Sequence, residues 1–408
     1  MKKNNKKIEL FKRDVSVIEQ SDGENYSPPK EYNPYYLAVS NKFRLAKIIT
    51  VFVLCVFVLS SLFIYGEDFT YQNARYVLRD LGQILSEDST APSERLSFDA
   101  DGEMDFGIYR GNIIIAGESG VRILSVTGKE KLSDSTSFTC PTVLTSDKYC
   151  IVYSLGAYNL SVYNTVARVY DMKFDYPIYD VALSDTGHIA VMTQSREYRC
   201  VVYLYDSDFK LTATYNKTKY PSSVDLSEGG ENIYISVFGT NNGDYITQLS
   251  SYTAKSAEPV YSLDVTGSLP FEVKAMDAGI AALVMQDRLL FADSVGNIIE
   301  DKKISSKISM CYLDREVIAV MTSDKNSQVI CCDSQGKEIS SSHHSDVTGI
   351  YQFDSRLFLQ KKNFLTYTDS GTDTVLELQS GAVKLLYNDG YVFVCYTDAI
   401  QTINCKAK

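Results

Sequence analysis

The sequence predicts an all-β chain of small repeated sheets held behind one apolar helix. Three observations carry that reading: a charge-free run near the amino terminus, a unit of paired apolar strands that recurs eight times, and no convincing helical pattern beyond Leu85. The chain has 408 residues, 45% hydrophobic and 22% charged, a globular balance that excludes a largely disordered or collagen-like protein. Its net charge of -11 argues against a nucleic-acid partner, because phosphate recognition draws on an excess of Lys and Arg.

The charges are unevenly placed. Residues 1–47 hold ten Lys or Arg against six acids, the stretch 48–65 holds none, and the remainder carries a net charge of -15. From Ile48 to Tyr65 the chain is apolar apart from Thr50, Ser60 and Ser61. As a helix it is about 27 Å long at about 1.5 Å per residue, and Leu45 and Ala46 bring it near the thickness of a bilayer core. We therefore expect one membrane span over 43–66. The basic excess before it predicts a cytoplasmic amino terminus and an exported carboxyl terminus. Residues 1–42, with Lys2-Lys3-Asn4-Asn5-Lys6-Lys7 and Ser27-Pro28-Pro29, read as a disordered basic tail that can rest on anionic headgroups or dock a cytoplasmic partner. Over 67–95 we expect a short stalk helix (Tyr71 to Leu85, with Ala74, Val77, Leu78, Leu81 and Leu85 in helical spacing) and a polar linker.

The domain over 96–408 is built from the repeat. Its unit is an apolar strand, a turn with an acid or a glycine, and a second apolar strand. Copies lie at Phe106–Ile115, Val143–Val152, Val181–Val191, Val224–Ile235, Val273–Val284, Ile308–Val320, Ile350–Leu359 and Val383–Val394, with turn centres 35 to 49 residues apart. Most copies lead into a third strand that ends in a second turn, as at Asp293-Ser294-Val295-Gly296 and Asp333-Ser334-Gln335-Gly336. There an Asp or Ser side chain can accept the backbone N–H two residues on, and Gly takes the positive φ of a tight turn. A looser version ends at Asp206-Ser207-Asp208. With a fourth segment each copy reaches about 40 residues, the size of one four-stranded propeller blade. The last copy ends one strand short, and Arg95-Leu96-Ser97-Phe98 is placed to supply the missing strand and close the ring. We expect eight blades, seven being the alternative, and a protruding loop at Asn241-Asn242-Gly243-Asp244.

The turn Leu183-Ser184-Asp185-Thr186-Gly187-His188-Ile189-Ala190 and the Asp-Ser-x-Gly turns resemble those of WD-repeat and PQQ-like bacterial propellers. The layout of basic tail, single span and exported propeller resembles a family of membrane-anchored propeller proteins from clostridial-type Gram-positive bacteria whose function is not known. The chain has no Trp, so it lacks the Trp-Asp dipeptide and the tryptophan docking motif of quinoproteins. No quinone cofactor is expected.

Candidate chemistry is sparse, and no catalytic, cofactor-binding or metal-binding residue is assigned. His343-His344 is expected in a solvated loop, since neighbours on a strand point to opposite faces and no second ligand cluster accompanies them. Asp99-Ala100-Asp101-Gly102-Glu103 matches the start of a calcium loop, but the twelfth position is Arg110 where a carboxylate is required. No nucleophile elbow, phosphate loop or zinc-protease motif occurs. Eight cysteines follow Cys55; Cys140 with Cys150 and Cys395 with Cys405 are close enough in expected hairpins to bridge, although buried free thiols are the favoured reading. Cys331 and Cys332 should face opposite sides of one strand. The 30 tyrosines cluster in strands (Tyr149, Tyr153, Tyr163, Tyr170, Tyr203, Tyr205, Tyr234, Tyr387, Tyr391 and Tyr396), where packing explains them; the functional alternative is stacking on sugar or peptide. Together these readings predict a noncatalytic binding or scaffold module for an envelope protein, peptide or glycan. The alternatives are a glycan- or peptide-acting hydrolase using carboxylates at the ring axis, and a transmembrane sensor.

Overall fold

The computed structural model describes residues 34–64, 91–369 and 372–406, in two compact units, one with a helix and one with sheets. The tail before residue 34, the expected stalk helix and most of the linker lie outside the described residues.

The helix runs Pro34–Ile64, 31 residues, and so begins upstream of the expected boundary at 43. Pro suits a helix start, because its missing N–H falls where no helical partner exists. Phe52, Leu54 and Phe57 are all exposed. The hydroxyls inside the apolar run are satisfied by the helix itself: Thr50 donates to Ala46 O (3.0 Å) and Ser60 to Phe57 O (2.9 Å). Among the described residues no helix is long and apolar enough to cross a membrane; the helix side chains are described without a break only over 42–57. The expected span therefore rests on the sequence.

The second unit is an eight-bladed propeller. Its described strands form eight antiparallel four-stranded sheets, and each of the eight sequence copies is the first hairpin of one blade. Seven blades are excluded. The first strands, Asp105–Tyr109, Pro141–Thr145, Asp180–Leu183, Tyr220–Leu226, Pro270–Ala275, Ile308–Leu313, Val347–Phe353 and Lys384–Asn388, open blades 1 to 8. First strands of most successive blades pack together, and that of blade 8 returns to that of blade 1.

Closure follows the expected route. Arg95–Ser97 pairs antiparallel with Ala399–Asn404, Leu96 opposite Ile400, as the fourth strand of blade 8. Joining both ends of the chain in one sheet removes the open seam that the ring would otherwise carry.

The core lies between blades. Eight apolar clusters each join two neighbours: one ties Tyr109, Ile114 and Ile123 of blade 1 to Val143 and Val152 of blade 2, and another ties blade 8 to blade 1 through Phe393, Ile400, Leu96 and Phe106. Because both faces of a sheet are covered, central strands such as Asn112–Ala116 and Ala281–Met285 are buried at every position, and they read as unbroken apolar runs. Cys332 enters the cluster between blades 5 and 6 and Cys331 that between 6 and 7, opposite sides as expected.

Turn chemistry is as the repeat implies. Asp333 Oδ1 accepts from Gln335 N and Lys337 N, both at 2.9 Å, and Asp293 Oδ1 accepts from Val295 N (3.0 Å) and Asn297 N (2.8 Å). At Asp206 the same cap forms, with Phe209 at φ 64 taking the place of glycine.

Two expectations are corrected. Residues 241–244 are no loop: strands Asn232–Asn241 and Asp244–Thr253 pair in register to their ends around a two-residue turn, Asn242 (φ 51) and Gly243 (φ 93). Val237, Phe238, Tyr245 and Ile246 are strand formers and Asn-Gly is the preferred hairpin turn, so the extra residues lengthen blade 4. His343 and His344 likewise close the outer strand of blade 6, Glu338–His344, where His344 Nε2 meets Ser342 Oγ at 2.7 Å.

Candidate functional site

The turn after each first strand falls on one face of the ring, because every blade starts from the opposite face. On this face five successive blades frame a cavity of ≈ 510 Å³. Blade 2 contributes Asp147, blade 3 Asp185, blade 4 Glu228 and Glu231, blade 5 Asp277 and blade 6 Arg315. Five acids thus surround one cation. Each sits in a repeat turn, where a short polar side chain serves local geometry first; identical placement in successive blades then gathers the charges on one rim.

Arg315 reaches across this opening. Its Nη1 lies 2.6 Å from Asp185 Oδ2 and 3.7 Å from Glu228 Oε2, linking blade 6 to blades 3 and 4. Backbone contacts hold the rim: Asp185 N donates to Glu228 O (3.1 Å) and Asp277 N to Arg315 O (3.2 Å), and Thr186 Oγ1 donates to Gly229 O (2.8 Å). Arg315 satisfies two acids, leaving the rim with excess negative charge around an open cavity.

Deeper along the first strands lies a second charged set. Asp105 Oδ2 accepts from Val143 N of the next blade (2.8 Å), Asp180 Oδ2 from Val224 N (2.8 Å), and Asp225 Oδ2 from Ala275 N (2.9 Å). Lys384 Nζ meets Asp105 at 2.7 Å and Lys274 Nζ meets Asp225 at 3.2 Å. The Asp225 carboxylate beside Lys274 outweighs burial and pushes that ammonium pKa up. Burial pushes Asp180 up to about 7, against the lowering by the Val224 N–H and Ser223 hydroxyl. The Glu272 side chain is exposed, but partial desolvation of its carboxyl raises its pKa against the lowering by Lys274, and the Cys311 thiol lies 3.7 Å away; the half-buried Cys311 thiol is itself pushed up to about 12, chiefly by burial.

The residues weighed from sequence lie mostly elsewhere. Asp101 Oδ2 accepts from Ser119 N (2.8 Å) and Ser119 Oγ (2.6 Å), so the calcium-like stretch is tied as a loop. Among the described residues no group of three or more His, Cys, Asp or Glu is placed to hold a metal. Cys140 is exposed, and neither it nor the buried Cys150, Cys395 and Cys405 is in a disulfide. Tyr153, Tyr163, Tyr234 and Tyr396 are buried, and Tyr170 stacks on Phe209 at 4.6 Å. Exposed rings outside the expected set, Tyr158, Tyr179, Tyr220, Tyr245 and Phe271, belong to the opposite face. Sequence reasoning missed the acidic rim, although Asp147, Asp185, Glu228 and Asp277 stand in the quoted turns; their recurrence at one repeat position was the available signal.

No curated protein matches the chain in sequence. Solved structures match in fold: BamB from Moraxella catarrhalis (12% identity, TM-score 0.54, covering 78% of this chain and 98% of that one), Sqt1 from Saccharomyces cerevisiae (10%, 0.57, 76% and 99%) and the C-terminal WD40 domain of Sif2 (12%, 0.56, 78% and 100%). At such identity the likeness speaks for the propeller fold alone. A family model covers residues 91–404, all eight blades with the closing strand, and by that match the chain belongs to DUF5711, a family of unknown function.

Proposed function

We propose that the chain is a noncatalytic binding scaffold, anchored by its helix at the outer face of the cytoplasmic membrane, whose acidic rim takes a basic segment of an envelope protein or peptide. The observation that carries this reading is the cavity of ≈ 510 Å³ framed by five acids and one arginine on turns of five blades. A rigid ring with a preformed, oppositely charged mouth draws a cationic partner in and fixes its orientation. The anchor is supported by the uncharged run Ile48 to Tyr65, by the basic excess before it, and by hydroxyls bonded within the helix, as an apolar surrounding demands.

A hydrolase reading draws on the raised carboxyls of Asp180 and Glu272. Asp180 has both oxygens engaged by backbone N–H groups, of Val181 (2.9 Å) and Val224 (2.8 Å), an arrangement suited to joining blades rather than to proton transfer. The scaffold reading is therefore preferred.

A photo-crosslinking residue placed at Ala278 on the rim, or at Ser341 on the outer strand of blade 6, tests the proposal in intact cells. We expect a discrete protein adduct from position 278, weakened at least about tenfold by Glu228→Lys with Asp277→Lys. Equal adducts from both positions, or adducts indifferent to the charge reversal, would contradict it.

A further inference from the structure

Arg315 is the single base among the described residues that line the rim cavity. It comes from blade 6, yet its Nη1 lies 2.6 Å from Asp185 Oδ2 of blade 3 and 3.7 Å from Glu228 Oε2 of blade 4. Those two carboxylates are placed without its help. Asp185 N donates to Glu228 O (3.1 Å) and Thr186 Oγ1 to Gly229 O (2.8 Å), so the backbone of blades 3 and 4 sets the spacing of the pair. The Arg315 turn is likewise held by its backbone, whose carbonyl accepts from Asp277 N at 3.2 Å; the side chain can therefore leave while the turn stays. The Arg315 side chain is 22% exposed, that of Asp185 33% and that of Glu228 72%. An ion pair this open to water is weak and readily exchanged for another. Asp147, Glu231 and Asp277 of the same cavity take no ion pair among the described residues.

We propose that Asp185 and Glu228 form a guanidinium subsite which Arg315 keeps filled, and that an arginine of the basic partner binds by displacing Arg315. This rests on the acidic-rim reading and names what the rim selects. A planar guanidinium spans carboxylates on two blades with separate N–H donors, whereas an ammonium is a compact point charge with a tighter hydration shell to shed. The occupant the ring supplies is already of the planar kind. Arg315 also sets a threshold for entry. A lone cation only exchanges one ion pair for another and gains little, while a segment that reaches Asp147, Glu231 or Asp277 as well makes contacts that Arg315 does not. The displaced guanidinium turns to water, at small cost because it is partly exposed from the start.

Fluorescence anisotropy of labelled tetra-arginine and tetra-lysine peptides, titrated with the full chain in detergent, tests the displacement. The native chain should bind tetra-arginine about threefold tighter than tetra-lysine. Arg315→Gln frees both acids and should tighten tetra-arginine by about fivefold. Lys148→Gln is the control: Lys148 belongs to the blade 2 turn, with its Nζ over the Tyr149 ring at 5.3 Å, so the change removes the same charge without freeing either acid. It should shift the affinity by less than about twofold. Arg315→Lys keeps the charge but not the planar fork and should tighten tetra-arginine by a smaller factor, which keeps the test decisive if Arg315→Gln folds poorly. Adding Asp185→Asn to Arg315→Gln should cancel the gain. Equal gains in Arg315→Gln and Lys148→Gln, or no gain in either Arg315 variant while Glu228→Lys with Asp277→Lys still weakens binding, would overturn the subsite and leave the acidic rim standing. Binding that ignores that charge reversal, or no binding of either peptide, would overturn both.

Discussion

Asp333 and Asp180 are the same residue type in opposite circumstances. Asp333 sits at a turn near the surface, where its carboxylate accepts two backbone N–H groups at 2.9 Å, and this local geometry was legible from the run Asp-Ser-Gln-Gly. Replacing it with Ala leaves those donors to water and should cost about 1 kcal/mol, measurable as a lower midpoint in chemical denaturation; an unchanged midpoint would show that the turn holds without its cap. Asp180 lies between blades and, besides the adjacent Val181 N–H, accepts from Val224, 44 residues away. Nothing adjacent in the chain marks that second contact, because it is a property of the assembled ring. The rim acids fall between these cases: each turn acid was visible as a turn former, but only the ring brings Arg315 to Asp185, 130 residues earlier in the chain.

At the scale of the element, the strand that closes the ring is the shortest of the described strands. Arg95–Ser97 has three residues, yet Leu96 is buried in the cluster that joins blades 8 and 1. Its role could be read from the sequence by counting, since the last blade lacked a strand and an apolar residue with polar flanks stood before the first. Leu96→Asp should remove that packing and bury a charge, lowering stability by roughly 3 kcal/mol in thermal or chemical unfolding; a native-like transition would mean that the ring closes without it. Blade 4 shows where counting failed. A spacing of 49 residues suggested an inserted loop, whereas the surplus is divided between two 10-residue strands. A strand can lengthen past the body of the sheet without changing period, so spacing alone does not tell a longer strand from a longer turn.

For the whole molecule, the sequence showed the number of blades because eight local units repeat, and it missed the rim because charge on a ring is set by which copies become neighbours. The acids that line the cavity come from blades 2 to 5, with Arg315 from blade 6 among them. A basic partner outside the membrane can use that cavity only if the ring itself is exported. Cys140 offers the direct test, as an exposed thiol among ring cysteines otherwise buried or half-buried. A membrane-impermeant maleimide applied to intact cells at alkaline pH, which offsets the raised pKa that Glu103 imposes on this thiol, should label the full chain and fail on Cys140→Ser. Labelling that appears only after the membrane is permeabilised would place the ring inside and contradict the account.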